Sequence, residues 1–321
     1  RLSVLCMLMV APPEPVTVAV IGAGAMGSGI AQVAAQAGHP VILVDSQPGA
    51  ADRAKESLGQ TFTTLVGKGR IEQAAADAAL DRITTHTTSD MRTIPPVGLV
   101  IEAVVEHIDV KRAVFRQLEA AQSPTTVLAT NTSSLSIDDI VGEATTGHDA
   151  ALHGGVSPEM AYPGRVIGLH FFNPPPLMKL VEVISGRRSD PEVLRDASAL
   201  MRRWGKTPVR CTSTPGFIVN RVARPFYGEA QRMVAEGLAE PATIDLALRG
   251  AGFRMGPMEL TDLIGQDVNL AVGESVWRQT EEDPRYEPTD YQRELVRAGR
   301  LGRKSGHGVF RYDGSGQAVD A

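Results

Sequence analysis

A doubly wound α/β sheet followed by an all-α segment is the fold class this sequence predicts. Three observations predict it. Short continuous apolar runs alternate with helix-period stretches over the first two thirds of the chain, the pattern of a parallel sheet buried on both faces. A G-x-G-x-x-G motif, Gly22, Gly24 and Gly27 of "GAGAMG", lies between the first run and the first helix. From Thr214 onward, helical patterns replace the strands.

The elements follow in order. Residues 16–21, "VTVAVI", are β-branched and apolar and form the first strand; "AMGSGIAQVAAQAG" is a helix stopped by Gly38. "VILVD", 41–45, is the next strand. A long helix from Ala50 to about Gly67 and a shorter one through Ala79 come next. "VGLVIEAVV" (97–105) and "TTVLAT" (125–130) are further strands, with the helix "DVKRAVFRQLEAA" between them. The stretch 142–164 has no periodicity and reads as an inserted loop. "RVIGLHFF" and "KLVEVI" are two more strands. Thr214 is expected to cap the next helix, with Pro215 in its first turn. Pro225 lies inside that helix and is expected to kink it. The resulting division is an irregular extension over 1–15, a Rossmann-type domain over 16–210 and a helical domain over 211–321, with the boundary near 205–213.

Composition narrows the function. A length of 321 residues suggests two domains. A net charge of −5 argues against a general nucleic-acid binder, which needs a basic face. No apolar run is long enough to span a bilayer. The "RLSVLCMLMV" start is read as part of the ragged extension and not as a signal peptide. Two cysteines, Cys6 and Cys211, make no disulfide framework and no C-x-x-C metal pattern, which places the chain in a reducing, cytoplasmic setting with no metal.

The glycine motif follows a strand and opens a helix, which is the context of a dinucleotide site. Gly22 permits the tight turn, Gly24 admits the pyrophosphate, and Gly27 lets helix and strand pack; Ala25 and Met26 complete the loop. Asp45 ends the second strand, where a carboxylate accepts ribose hydroxyls and repels a 2′-phosphate. The expected cofactor is NAD.

A second constellation sits past the later strands. Ser136 and Asp139 are suited to cap a helix, which leaves Asn131 and Ser133 of "NTSS" without a structural task, and Asn131 is read as facing the cofactor. His170 ends one strand, Glu182 interrupts another, and Asn220 sits among apolar residues. These residues fit oxidation of a secondary alcohol. A histidine takes the hydroxyl proton, and Glu182, if bonded to the far ring nitrogen, fixes the tautomer. Ser133 and Asn220 can bond to the reacting oxygen. On the residues alone, His170 is either that base or a buried, hydrogen-bonded histidine.

"VAVIGAGAMGSGIAQVAAQAGHPVILVD", "IEAVVEHIDVKRAVF", "TNTSSLSI", "GLHFFNPPPLMKLVEVI", "TPGFIVNR", "GPMELTDLIGQD" and "GRKSGHGVF" together resemble the L-3-hydroxyacyl-CoA dehydrogenase family over about residues 16–312. The resemblance implies that His170 and Glu182 are the base system, assisted by Ser133 and Asn220. It implies cofactor contacts at Asp45, Glu106, Lys111, Ser133 and Lys304, and CoA contacts at Ser57 and, approximately, Lys68. It implies an acyl-CoA substrate, short in chain as in 3-hydroxybutyryl-CoA, and a homodimer formed through the helical domain. The alternatives are a related dehydrogenase for 3-hydroxyadipyl-CoA or a free hydroxy or sugar acid, and a non-catalytic, crystallin-like NAD-binding protein. The 142–164 stretch departs from the family's shorter spacing, which puts substrate access in doubt. The prolines of "NPPP" are expected to form a stiff connection that returns Glu182 beside His170.

Overall fold

A computed structural model describes residues 15–142 and 160–319. The expectations for residues 1–14 and for most of the 142–164 stretch therefore lie outside the described residues.

Eight strands form one sheet in the order β3-β2-β1-β4-β5-β6-β7-β8. They are β1 (Val18–Ile21), β2 (Val41–Asp45), β3 (Ile83–Thr87), β4 (Leu99–Glu102), β5 (Val127–Thr130), β6 (Val166–Phe171), β7 (Leu180–Ser185) and β8 (Thr207–Thr212). All neighbouring pairs are parallel except β6 with β7. Helices α1 (Ala25–Gln36), α2 (Ala50–Gly67), α3 (Gln73–Asp81), α4 (Ile108–Ala121), α5 (Ile137–Val141) and α6 (Pro191–Arg203) accompany the sheet. Alternate residues of β1 show why its strands read as continuous apolar runs: Val18 and Val20 join one core cluster, while Ala19 and Ile21 join another.

Strands β3 and β8 escaped the sequence reading. "ITTHT" and "TPVRCT" are polar or half-polar because they are the two edges of the sheet, where one strand side lacks a neighbour and several residues stay exposed. Ser136 caps α5 as expected, its hydroxyl accepting from the Asp139 amide at 3.3 Å.

Beyond β8 the described chain is helical: α7 (Val219–Ala235), α8 (Pro241–Gly250), α9 (Pro257–Ile264), α10 (Gln266–Gln279) and α11 (Asp290–Arg297). The capping expectation for Thr214 fails. Residues 214–218 form a tight turn with Gly216 at φ 72° and Phe217 at φ 50°, and α7 begins only at Val219. Pro225 lies within α7. The switch in strand order on either side of β1 opens a crevice at the carboxyl ends of β1 and β4, where ligands of such sheets bind.

Candidate active site

The glycine loop is shaped for a phosphate. A β-carbon on Gly22 (φ 103°) would lie 2.6 Å from the Ala103 carbonyl oxygen, and one on Gly27 would lie 1.7 Å from that of Gly22. At Gly24 a β-carbon would meet nothing within 4 Å, so the open side of the loop is there. Gly24 is also the N-cap of α1 and provides no side-chain acceptor, which leaves the first-turn amides for an anion. Ala25 is exposed and Met26 half-buried at this rim. Asp45 Oδ2 accepts from the Ala23 amide and Oδ1 from the Gln47 amide, both at 2.8 Å. Its carboxylate is thus held at the loop with lone pairs left for ribose hydroxyls. These residues fit NAD.

Between this loop and "NTSS" lies an ionic frame that includes a residue the sequence reading missed. Glu102, fully buried at the end of β4, accepts from Lys111 Nζ, the Val104 amide and Thr130 Oγ1, each at 2.7 Å. The signal was present in "LVIE", a carboxylate closing an apolar strand. Lys111 is 1% exposed and lies 3.4 Å from Glu106 Oε2, so it is the cation of the frame and offers no ammonium at the surface. Glu106 Oε1 accepts from Thr132 Oγ1 at 2.5 Å and from the Ser133 and Ser134 amides at 2.8 and 3.2 Å. It fixes the turn that carries Ser133.

His170 and Glu182 stand opposite each other in the antiparallel β6–β7 register, as the "NPPP" connection predicts. Nδ1 of His170 lies 2.7 Å from Oε2 of Glu182, and both residues are buried. The other carboxylate oxygen, Oε1, accepts from the amides of Ile218 and Val219 at 3.0 and 2.9 Å. Glu182 therefore caps the start of α7, the task the sequence reading assigned to Thr214. A buried carboxylate meeting three N–H groups, two of them at a helix N-terminus, has its desolvation offset. The arrangement also sets the histidine tautomer: an acceptor at Nδ1 places the proton there and leaves the Nε2 lone pair free. Among the described residues Nε2 has no hydrogen-bond partner. The ring is flanked by Phe172 and Phe217, with centroids at 4.5 and 5.8 Å.

The remaining polar groups converge on the same edge. Asn131 Oδ1 accepts from the Phe171 amide at 2.8 Å, tying the end of β5 to β6 beside the histidine. Asn220 Nδ2 donates to the Ser133 carbonyl at 3.1 Å across the two domains, while the Ser133 hydroxyl has no partner among the described residues. Cys211 on β8 has its thiol pushed up to about 12, by burial first and by the Glu182 charge second.

Three expected contacts are not brought to this cluster by any bond. Lys304 pairs with Asp267 inside the helical domain, 2.7 Å from Oδ2. Ser57 and Lys68 are exposed on α2 and at its C-cap.

The model of the 3-hydroxyacyl-CoA dehydrogenase NAD binding domain matches residues 17–214, and that of the C-terminal domain matches residues 216–312. The chain belongs to the 3-hydroxyacyl-CoA dehydrogenase family. NAD is the cofactor of this family's N-terminal domain. Among curated relatives, a 3-hydroxyadipyl-CoA dehydrogenase of Escherichia coli K12 is 48% identical over 94% of this chain, which spans 60% of that protein's length. A probable 3-hydroxybutyryl-CoA dehydrogenase of Deinococcus radiodurans is 40% identical over 91% of this chain and 99% of its own. The crystal structure of a 3-hydroxybutyryl-CoA dehydrogenase from Escherichia coli K12 superposes with a TM-score of 0.84 at 48% identity, covering 92% of this chain and 59% of that one. The two domain models cover the sheet and the helical segment, which the Asn220–Ser133 hydrogen bond links.

Proposed function

We propose that this family member oxidises the 3-hydroxyl of an (S)-3-hydroxyacyl-CoA to the 3-oxoacyl-CoA, reversibly, with short acyl groups such as 3-hydroxybutyryl as substrates. The observation that carries this reading is the His170–Glu182 couple, with Nε2 unbonded among the described residues at the carboxyl edge of the sheet, where the glycine loop also opens. Bound NAD supplies the hydride acceptor. His170 Nε2 takes the hydroxyl proton, and Glu182 stabilises the imidazolium through Nδ1–H. Ser133 and Asn220 bond to the substrate oxygen and hold it in line. Asp45 and the loop Gly22–Gly27 hold the dinucleotide, with Asn131, Glu106 and Lys111 setting the strand ends and the turn against which it lies. Ser57 and Lys68 on α2 and Lys304 in the helical domain are proposed contacts for CoA and cofactor. The names of the relatives, 3-hydroxybutyryl-CoA and 3-hydroxyadipyl-CoA dehydrogenase, support the CoA thioester.

Two copies are proposed to pair through the helical domain. It leaves Val222 70%, Leu246 67%, Phe253 49% and Val268 48% exposed, apolar side chains that a two-fold pairing would cover. Sedimentation should show a single species of twice the 34.2 kDa chain mass, and a stable active monomer would refute the pairing. No described helix is long and apolar enough to cross a membrane, and the low cysteine count supports a reducing, cytoplasmic setting.

The test of the activity is consumption of NADH with acetoacetyl-CoA, run beside longer acyl-CoAs and free hydroxy acids. Turnover confined to CoA thioesters is the expected result. Binding of NADH without turnover of any of them would favour the non-catalytic reading.

A further inference from the structure

Helix α7 carries a second polar residue one turn beyond Asn220. Arg224 is 8% exposed, and no carboxylate among the described residues pairs with it. Its Nη1 donates to the backbone and side-chain oxygens of Asn269 on α10, at 2.8 and 3.2 Å, and both are neutral acceptors. Its Nε is buried and has no hydrogen-bond partner among the described residues. The Tyr227 ring lies 5.0 Å from the guanidinium carbon. Burial pulls the guanidinium down to about 10, which still leaves it cationic at neutral pH. A buried cation without a counter-charge is costly and destabilising unless something else is obtained from it.

Its position suggests what that is. α7 and α10 run antiparallel along one seam: a β-carbon on Gly216 would touch Val276, and one on Gly273 would lie 3.9 Å from Arg224 Nη1. The seam opens at the reacting edge, where Asn220 bonds to Ser133 and Ser275 on α10 bonds to Ser134 at 2.9 Å. Arg224 is four residues further along α7, about 6 Å of helix rise. Residues four apart share one face of a helix, so Arg224 lies on the same side of α7 as Asn220. Gly273 supplies the room for it on the facing helix.

We propose that Arg224 is a specificity-determining residue that receives the distal carboxylate of a dicarboxylic 3-hydroxyacyl-CoA, held with its hydroxyl at Ser133 and Asn220. The proposal rests on the dehydrogenase reading above. An adipyl tail ends in a carboxylate three C–C bonds beyond its hydroxyl-bearing carbon, and a guanidinium without a counter-charge matches that carboxylate as it matches no methyl group. A methyl-ended tail would leave the cation without a partner.

The experiment measures kcat/KM for 3-hydroxyadipyl-CoA and 3-hydroxybutyryl-CoA with NAD, in the unmodified chain and in Arg224→Met and Arg224→Lys. The unmodified chain should turn over both, the dicarboxylic substrate through Arg224. Arg224→Met should lower the adipyl-to-butyryl ratio by about 10²-fold, the usual scale for removing one partner of a desolvated charge pair, and Arg224→Lys should restore part of it. An unchanged ratio in a folded Arg224→Met variant would overturn the assignment. Should that variant fail to fold, inhibition of 3-hydroxybutyryl-CoA turnover in the unmodified chain decides. Adipyl-CoA should inhibit more strongly than hexanoyl-CoA of the same tail length, and equal or weaker inhibition overturns the proposal. Loss of activity on every thioester would instead refute the dehydrogenase reading beneath it.

Discussion

Replacing Glu182 by Gln separates the two tasks of this carboxylate. Three N–H groups point at it: His170 Nδ1 at 2.7 Å, Ile218 N at 3.0 Å and Val219 N at 2.9 Å. A carboxylate accepts from all three, but a carboxamide has one acceptor and one donor end. If the NH₂ faces the two α7 amides, two buried hydrogen bonds are lost, each worth about 1.5–3 kcal/mol when the acceptor is charged. If it faces His170, one partner changes, and the imidazole can adapt by moving its proton to Nε2. The second arrangement costs less and is the one expected. It leaves the fold close to intact but removes the free Nε2 lone pair. Turnover should fall by about 10²–10⁴, the range for losing a positioned general base, with little change in NADH affinity. Glu182→Ala should differ: it leaves three donors buried without an acceptor and should cost about 3–5 kcal/mol of stability, read as a large drop in thermal midpoint. The assays are NADH consumption with acetoacetyl-CoA and thermal unfolding of both variants. A Gln variant with near-parental turnover would refute the tautomer argument, and an Ala variant of unchanged stability would refute the capping role.

Asp45→Ala should raise the KM for NADH by about tenfold or more, equivalent to losing a hydrogen bond to a charged group, and should narrow the preference over NADPH; equal rates with both cofactors in the parent chain would contradict the assignment. In a Cys6→Ser background, Cys211 should resist Ellman's reagent at pH 8 in the folded protein and react once unfolded, because burial and the Glu182 charge hold its thiol near 12. Since that folded value lies above the ordinary thiol value of 9.0, the stability this group contributes is intact below 9.0 and is lost as pH rises toward about 12, so an alkaline unfolding midpoint that does not move when Cys211 is replaced by Ala would count against it.

Much of this site is written in local sequence. The glycine loop needs only a strand, three glycines and a helix, all contiguous, and Asp45 lies at the end of the very next strand. The central strands announce themselves because burial on both faces demands unbroken apolar runs. The His170–Glu182 pairing is also local, since antiparallel register across one short connection brings together residues twelve apart. What lay hidden depends on position in the folded sheet. β3 and β8 are edge strands, and partial exposure erased the apolar pattern that marked their neighbours. The start of α7 moved from Thr214 to Val219 because its cap is a carboxylate 37 residues earlier in the chain, an arrangement no spacing rule contains. Lys111 carries the same lesson: its helix was legible, but its burial against Glu102 followed only when β4 and α4 met. Local propensity and periodicity determined the elements and the loop chemistry; tertiary packing decided which buried polar groups face one another, because satisfying a desolvated charge depends on distance in space and not along the chain.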